Sequence, residues 1–487
     1  MKFKVILNIV GKILLLEAAV LILPLIVSLI YQEGLRLVLS YAISIVFVAG
    51  IGLLLNIKKA TDIKLRTRDG FMIVVLSWFL MSLFGTLPLM ISGDIPSFYD
   101  AFFEITSGFT TTGASVLNDV EILHKSILFW RCFSHWLGGM GILVLILAII
   151  PEGSDGSTVH ILRAESTGPQ VGKLVSRVKA SSRILYLIYI GVTLLEFVLL
   201  LLGPDKNIGL FESIVLAFST AGTGGFAPLA TSIVTYSSYT QYVLAIFMIV
   251  FSINFTLYYL IIIGKWKDAI KSEELRTFIC IVLAAIILII VSIYKTVSSF
   301  EEAFRLSFFE VAATISTTGF AAVDFGAWPS LAQWVLVLLM FIGGCAGSTG
   351  GGIKVSRIAL LFKNALYKVR KMINPRRVKV MKYEGTPVST EVIESTQNFF
   401  VIYMLIIGVV TLVVSLLNKD FDVLSNFTGT LSCISNVGPG LGRIGAFGNF
   451  ADYNGATKII YSLVMIAGRL EIYPLLILLA PATWRRK

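Results

Sequence analysis

Charge is scarce in this chain. Of 487 residues only 14% are charged and 56% are hydrophobic, with a mean hydropathy of +0.87. Soluble domains carry about 25% charge, so a soluble enzyme or interaction module is excluded and a polytopic membrane protein is expected. Histidine is nearly absent: His124, His135 and His160 are too few and too dispersed for a metal cluster. The four cysteines (Cys132, Cys280, Cys345, Cys433) form no CxxC pair and no disulfide framework, and read as small apolar fillers. H-E-x-x-H, G-x-S-x-G and a convergent His/Asp set are all missing, so the chain is not expected to be an enzyme or to hold an organic cofactor. No cleavable signal-peptide pattern stands at the start, because the first apolar run, 13–30, leads straight into a second at 35–57.

Thr/Gly tracts, by contrast, recur. Phe109-Thr110-Thr111-Thr112-Gly113-Ala114 is followed by Phe218-Ser219-Thr220-Ala221-Gly222-Thr223-Gly224-Gly225-Phe226, then Ile315-Ser316-Thr317-Thr318-Gly319-Phe320, then Ile434-Ser435-Asn436-Val437-Gly438-Pro439-Gly440. Internal repetition of this kind outranks any single motif. Each tract follows an apolar run of about 10–15 residues, below the ~20 that a spanning helix needs and suited to a re-entrant segment. Non-helical backbone at membrane depth is tolerated only when it is buried in protein or lines a cavity. Four such tracts around one axis would make a ring of carbonyls able to replace an ion's water shell. Neutral carbonyls suit a weakly hydrated monovalent cation and give no grip on Mg2+, which asks for carboxylates and keeps its waters.

Taken in order, residues 1–57 form a transmembrane hairpin outside the repeat. The four repeats follow at 58–180, 181–272, 273–390 and 391–487, for a total of ten spanning helices and four half-helices. Repeat one returns through 124–150, repeat two through 239–264, repeat three through a broken helix at 332–362, and repeat four through 458–480. Basic residues cluster in the loops 57–69, 163–183, 264–276 and 363–382 and in the tail Arg485-Arg486-Lys487. All of these share one side only if each short segment dips in and returns to the opposite face. The positive-inside rule then places both termini in the cytoplasm. The net charge of +11 is therefore a matter of topology. It suits anionic lipid or an acidic subunit surface, and no nucleic-acid partner is expected.

Two further features stand out. Residues 343–352 (Gly343, Gly344, Cys345, Ala346, Gly347, Ser348, Thr349, Gly350, Gly351, Gly352) hold six glycines and interrupt an apolar helix just before Lys354. Each glycine costs about 1 kcal/mol against alanine in a helix. The GxxxxGK[ST] spacing is not met, so this is no phosphate loop. Arg469 lies near the middle of the last apolar run, where a charge faces a cavity or pairs with a carboxylate such as Glu104, Glu212 or Glu310. Glu104 and Glu310 follow paired phenylalanines at matching positions. They either raise the local cation concentration or hold the tract by hydrogen bonds. Arg131 and His135, one turn apart, read as anchors of their helix.

The four-repeat pattern, Phe-Thr-Thr-Thr-Gly-Ala at 109–114, Ser-Thr-Thr-Gly-Phe at 316–320 and Ala-Gly-Arg-Leu-Glu at 467–471 resemble the TrkH/TrkG branch of the Trk/Ktr/HKT potassium transporters, and the resemblance covers essentially the whole chain. It implies an all-α membrane protein with four helix, re-entrant helix, loop and helix repeats around a central K+ pathway in a bacterial inner membrane. It also implies a homodimer and a cytoplasmic ring of nucleotide-binding, TrkA-like RCK subunits. The residues expected along the K+ filter are Thr111, Thr112 and Gly113; Thr223 and Gly224; Thr317, Thr318 and Gly319; and Asn436, Val437 and Gly438. In the second tract, aligning Phe218 with Phe109 favours Gly222 and the Gly-Phe ending favours Gly225, while the usual spacing in this branch selects Gly224. The resemblance makes 343–352 a gating loop beneath the filter and Arg469 a charge facing the pore; Lys354, read with the gate, is the charged end of the loop where, with Arg357, the helix is expected to re-emerge toward the cytoplasm. The nearest alternative is a Na+- or H+-coupled K+ symporter of the same fold, and a more distant one is an inverted-repeat secondary transporter.

Overall fold

The computed structural model describes residues 3–57, 67–141, 178–374 and 380–481. The expected basic loops at 57–69 and 163–183 lie largely outside these residues, as do 142–150 of the first returning span and the basic tail 485–487. Among the described residues six helices are long and apolar enough to cross a membrane: Phe3–Ile30, Leu35–Asn56, Arg68–Ser92, Arg183–Leu201, Glu273–Ile293 and Thr390–Leu417. The first two form the N-terminal hairpin. The other four each precede one of the short helices Phe98–Phe109, Leu210–Gly222, Phe300–Ile315 and Val423–Ser435. The fold is thus an all-α polytopic membrane fold with a single two-stranded hairpin, Lys382–Tyr383 with Thr386–Pro387, among the described residues.

The short helices, of 12, 13, 16 and 13 residues, are bounded by their own chemistry. The Ser97 hydroxyl accepts from the Asp100 amide, Ser299 from Glu302, and the Asp422 carboxylate from Ser425. Glu212 reaches back to the Gly209 amide at 3.0 Å. Each satisfies an otherwise orphaned donor of the first turn.

Ten spans were expected, with only the returning helix of the third repeat broken, and here the structure differs. Three of the returning helices are interrupted, and the first ends at residue 139 within its described part. Lys125–Gly139 stops at Gly138-Gly139-Met140-Gly141. Ser238–Ser252 gives way to Phe255–Ile262 with a bend of 91°. Ser330–Ile342 ends at Gly343, and Val355–Ile373 resumes only after Lys354. Gly455–Arg469 turns through Glu471 and Ile472, both at positive φ, into Tyr473–Leu479. Glycines stand at the first and third of these sites, the Asn254 side-chain carbonyl accepts from the Thr256 amide at 2.9 Å at the second, and at the fourth Arg469 donates to carbonyls of other segments.

The first span begins at Phe3, ten residues before the expected Ile13, and kinks between Val20 and Ile22. Its hairpin closes at Gly11 and Gly52, where a Cβ on either residue would stand 2.8–2.9 Å from the carbonyl oxygen of the other. The turn also does a second job, since the Glu33 carboxylate accepts from the Ser126 amide at 3.0 Å and so caps the Lys125–Gly139 helix. Gly52→Leu is expected to force the two helices apart and destabilise the protein by about 1–3 kcal/mol, the usual cost of overpacking. Thermal unfolding of the purified protein in detergent checks this, with an unchanged midpoint the contrary result.

Candidate functional site

Each of the four tracts leaves its short helix through the same backbone motif. Thr111, Thr223, Thr317 and Asn436 take φ of 55°, 56°, 61° and 56°. The next amide in each case bonds back five residues: Thr112 to the Ser107 carbonyl, Gly224 to Ser219, Thr318 to Ala313 and Val437 to Ser432, at 2.9–3.0 Å. This is the long bond of a Schellman ending, with a left-handed residue where glycine usually sits. Three β-branched threonines in that region store strain, of order 1–3 kcal/mol each.

Two residues after each left-handed residue comes a glycine at positive φ: Gly113 (77°), Gly225 (79°), Gly319 (78°) and Gly438 (106°). This register corrects the expectation for the second tract. Gly225, not Gly224, stands level with the other three, and Gly224 is level with Thr112, Thr318 and Val437. The Gly-Phe ending shared with Gly319-Phe320 was the signal that pointed there.

The four glycines close a ring. A Cβ on Gly113 would overlap the carbonyl oxygen of Gly224, one on Gly225 that of Thr318, and one on Gly319 that of Val437. A Cβ on Gly438 would lie 2.8 Å from that of Thr112. Each glycine therefore abuts the carbonyl of the equivalent preceding position in the next tract, and glycine is required by both space and φ. Thr111, Thr112, Thr223, Thr317, Thr318, Asn436 and Val437 are buried around it. Asn436 ties the fourth tract to the first, donating to the Thr112 hydroxyl and to the Met465 carbonyl at 3.0 Å each.

The frame outside the ring answers the question left open for the acidic residues. Glu104 accepts from the Val116 amide at 3.0 Å and from the Ser115 hydroxyl, and binds Arg131 at 2.6 and 2.8 Å, with both charged side chains buried. Glu310 likewise accepts from the Ala322 amide at 2.8 Å. In the fourth tract the Thr428 hydroxyl takes the Leu441 amide at 2.9 Å. In the second, His135 Nε2 takes the Phe226 amide at 3.3 Å. The carboxylates thus hold the descending backbone, and Arg131 and His135 serve the tracts as well as their own helix. The roles of Thr428 and His135 were missed, because neither residue has a sequence neighbour that announces them.

On one side of the ring lies a cavity of about 100 Å3, lined by all four ring glycines and by Ser115, Asn118 and Asn449. Arg131 is the one charged residue lining it, already held by Glu104.

On the other side the glycine-rich break presses against the tracts. The Gly351 amide donates to the Thr317 hydroxyl at 2.6 Å and the Gly352 amide to the Ser435 carbonyl at 2.9 Å. Cys345 donates its amide to the Ser252 carbonyl at 2.9 Å, and the Thr349 hydroxyl donates to Phe251 at 3.1 Å, both at the bend of the second returning helix. The Ala346 amide bonds Glu274 at 2.7 Å, and the Gly347 carbonyl accepts from the Phe255 amide at 3.1 Å. Arg469 donates to the Thr349 carbonyl at 2.7 Å and to the Gly138 and Gly139 carbonyls at 2.5 and 2.7 Å. It is thus bound to the loop and to the carbonyl end of the first returning helix, where the helix dipole favours a cation. Glu104, one of the carboxylates considered for Arg469, is bound to Arg131. Lys354, at the end of the loop, is 2% exposed and folds back onto the Gly350 carbonyl. Its neighbour Arg357 pairs with Glu471 at 2.5 Å and lies over the Phe399 ring. Gly343, Gly344 and Ser348 complete the loop, the Ser348 hydroxyl donating to the Cys345 carbonyl at 2.6 Å.

The family model described as "TrkH: Cation transport protein" matches residues 35–486. The chain belongs to the TrkH family. It is 36% identical over 435 residues, 87% of each chain, to the Trk system potassium uptake protein TrkH of Vibrio parahaemolyticus. It is 34% identical to TrkG of Escherichia coli K12, covering 88% of this chain and 87% of that one. To TrkH of Halomonas elongata it is 32% identical over the full length of both. The crystal structure of the potassium transporter TrkH from Vibrio parahaemolyticus superposes with a TM-score of 0.89 at 32% identity, covering all of both chains. This TrkH-family chain is accordingly a multi-pass protein of a bacterial inner membrane and a cation transport protein, not an enzyme.

The buried Glu104–Arg131 pair makes one consequence sharp. Glu104→Gln leaves a guanidinium uncompensated inside the protein and is expected to cost about 3–5 kcal/mol, whereas Glu104→Gln with Arg131→Met should recover most of it. Unfolding midpoints of the parent, both single variants and the double variant check this. A single variant as stable as the parent is the contrary result.

Proposed function

We propose that the chain takes up K+ through a central pathway bounded by its four units, 58–180, 181–272, 273–390 and 391–487, with the hairpin 1–57 outside. The observation that carries the reading is the closed ring in which Gly113, Gly225, Gly319 and Gly438 each abut a carbonyl of the next tract. Thr111, Thr112, Thr223, Gly224, Thr317, Thr318, Asn436 and Val437 supply the surrounding backbone. Carbonyls held in a ring replace the hydration shell of a weakly hydrated cation. K+ is the cargo favoured by the relatives, whose names describe potassium uptake. The short helices are then re-entrant, and both termini and the basic loops face the cytoplasm. The chain works as a homodimer in membrane lipid, with a TrkA-like, nucleotide-sensing RCK ring docked on the basic face.

Residues 343–352 act as the gate. The bonds of Gly351 to Thr317 and of Gly352 to Ser435 support this reading, on which the loop lies across the inner mouth of the ring. Glycine backbone has the most freedom to leave such a position. Arg469 adds an electrostatic barrier. At roughly 5 Å and an effective dielectric of ~20, a unit charge repels a cation by about 3 kcal/mol, reduced here by the three carbonyls the guanidinium already binds.

Gly113→Ser and Gly319→Ser are expected to lower the Rb+/Na+ uptake ratio several-fold while the protein still reaches the membrane. An unchanged ratio in both variants refutes the ring as filter. Deletion of 345–350 and Arg469→Ala should each raise cation leak in proteoliposomes. The combined variant should leak most and respond least to the regulatory ring and its nucleotide. Single variants that remain folded and conduct no better than the parent place the barrier elsewhere.

A further inference from the structure

The second tract departs from the other three at one position. Just before the ring glycine the others carry Thr112, Thr318 and Val437, whereas here the residue is Gly224. A side chain on Gly224 would overlap the imidazole of His135, and one on Gly222 would overlap the His135 backbone carbonyl. His135 is fully buried and belongs to the Lys125–Gly139 helix of the preceding unit. Its ring occupies the volume that a threonine or valine side chain fills in the other tracts. The three neighbouring glycines of this tract thus have separate causes. Gly225 belongs to the ring, while Gly222 and Gly224 make room for His135.

The hydrogen bonds of the imidazole fix its chemical form. Phe226 N–H can only donate, so Nε2, at 3.3 Å, must accept. The Gly108 carbonyl can only accept, so Nδ1, at 2.7 Å, must carry the proton. His135 is therefore neutral, with its proton on Nδ1, and joins the end of the first short helix to the exit of the second tract. Phe226 is clasped from the same helix at two more points: the Arg131 guanidinium lies 4.1 Å from its ring centroid and the Cys132 thiol 3.6 Å from its carbonyl oxygen. The Gly224 carbonyl, attached to the residue that His135 packs upon, is the one that abuts Gly113 in the ring.

We propose that His135 is a specificity-determining positioning residue for cation selection: standing in for the missing side chain of Gly224, it sets the position of the Gly224 carbonyl in the ring through its contact with Gly224 and its bond to the Phe226 amide. This rests on the reading of the ring as the cation filter. His135 does not touch the cation; it fixes one quadrant of the ring from outside.

The substitutions that separate its two bonds are His135→Gln, whose amide oxygen reaches the Nε2 position and keeps an acceptor for Phe226 N–H, and His135→Asn, whose amide nitrogen reaches the Nδ1 position and keeps only the donor to Gly108. In proteoliposomes the Rb+/Na+ uptake ratio is expected to fall about tenfold in His135→Ala and His135→Asn, and by no more than about twofold in His135→Gln. Tenfold corresponds to about 1.4 kcal/mol, the scale of one net hydrogen bond. His135→Ala with Gly224→Thr, which restores a side chain of the kind used in the first and third tracts, should regain part of the ratio. A structural role alone would lower the amount of folded protein and leave the ratio untouched. Should His135→Ala fail to accumulate, the order of the Gln and Asn variants decides. Gly113→Ser is measured alongside. If it leaves the ratio unchanged, the reading of the ring has failed. If it shifts the ratio while the Ala and Asn variants keep the parental value, or while Gln falls as far as Asn, the positioning role of His135 is overturned.

Discussion

Hydrocarbon offers no hydrogen bonds, so every backbone amide and carbonyl freed from a helix at membrane depth must find a partner within the protein. On the proposed reading eight helix ends among the described residues are freed there, four where the short helices stop and four where the returning helices end. The short helices solve the problem internally, through Schellman endings at Thr111, Thr223, Thr317 and Asn436. The returning helices solve it mutually. The Ser252 carbonyl is taken by Cys345, the Gly138 and Gly139 carbonyls and that of Thr349 by Arg469, and the Ser435 carbonyl by Gly352. The glycine-rich break is therefore the piece of backbone that lets the other interruptions coexist.

The same constraint explains where charge sits. Buried ion pairs contribute little net stability, but breaking one is costly. Glu104 and Arg131 meet next to the ring and cancel, which leaves the cavity above without net charge although a guanidinium lines it. Arg357 and Glu471 do the same below. Arg469 donates to the neutral carbonyls of Thr349, Gly138 and Gly139. On the proposed reading its charge, held at these dipoles, serves as the barrier.

Much of the architecture was legible in the sequence. The four tracts, the short helices before them, the N-terminal hairpin and the glycine-rich break all announce themselves by period, length or composition. The early end of the first returning helix and the interruptions of the second and fourth did not. A run such as 239–264 is apolar throughout, and the polar Ser252 and Asn254 are individually common in membrane helices. Only tertiary partners turn them into a bend of 91°. The register of the second tract was obscured because three glycines in four positions look interchangeable until His135, 89 residues away from Gly224, fills the space beside one of them. Lys354 is turned inward for a related reason, by its positive φ and its bond to Gly350. Local sequence gives the elements, whereas these contacts depend on which element lies opposite.

On the proposed reading, the closed state of the break has a magnitude. Its amides and side chains bond Thr317, Ser435, Phe251, Ser252 and Glu274, and Thr349 receives Arg469. Net contributions of about 1 kcal/mol per bond add to several kcal/mol unless water replaces them as the loop withdraws. An equilibrium biased by that amount keeps the open form well below one part in a hundred. A cytoplasmic regulator can reverse it only by binding the open form more tightly by a comparable free energy. The route for such a bias is visible in the bonding. Glu274, which holds Ala346, lies beside Glu273 and Ser272 at the start of the Glu273–Ile293 helix. Glu384 of the small hairpin accepts from the Ser272 hydroxyl and the Glu274 amide at 2.8 and 3.0 Å. The helix Val355–Ile373 joins the same cluster through Lys363 and Glu273 at 2.5 Å. A force applied to the hairpin reaches the loop through the Glu274 carboxylate, and one applied to that helix reaches it directly along the chain through Lys354, so the bonds that seal the loop at rest are among those through which it would be pulled.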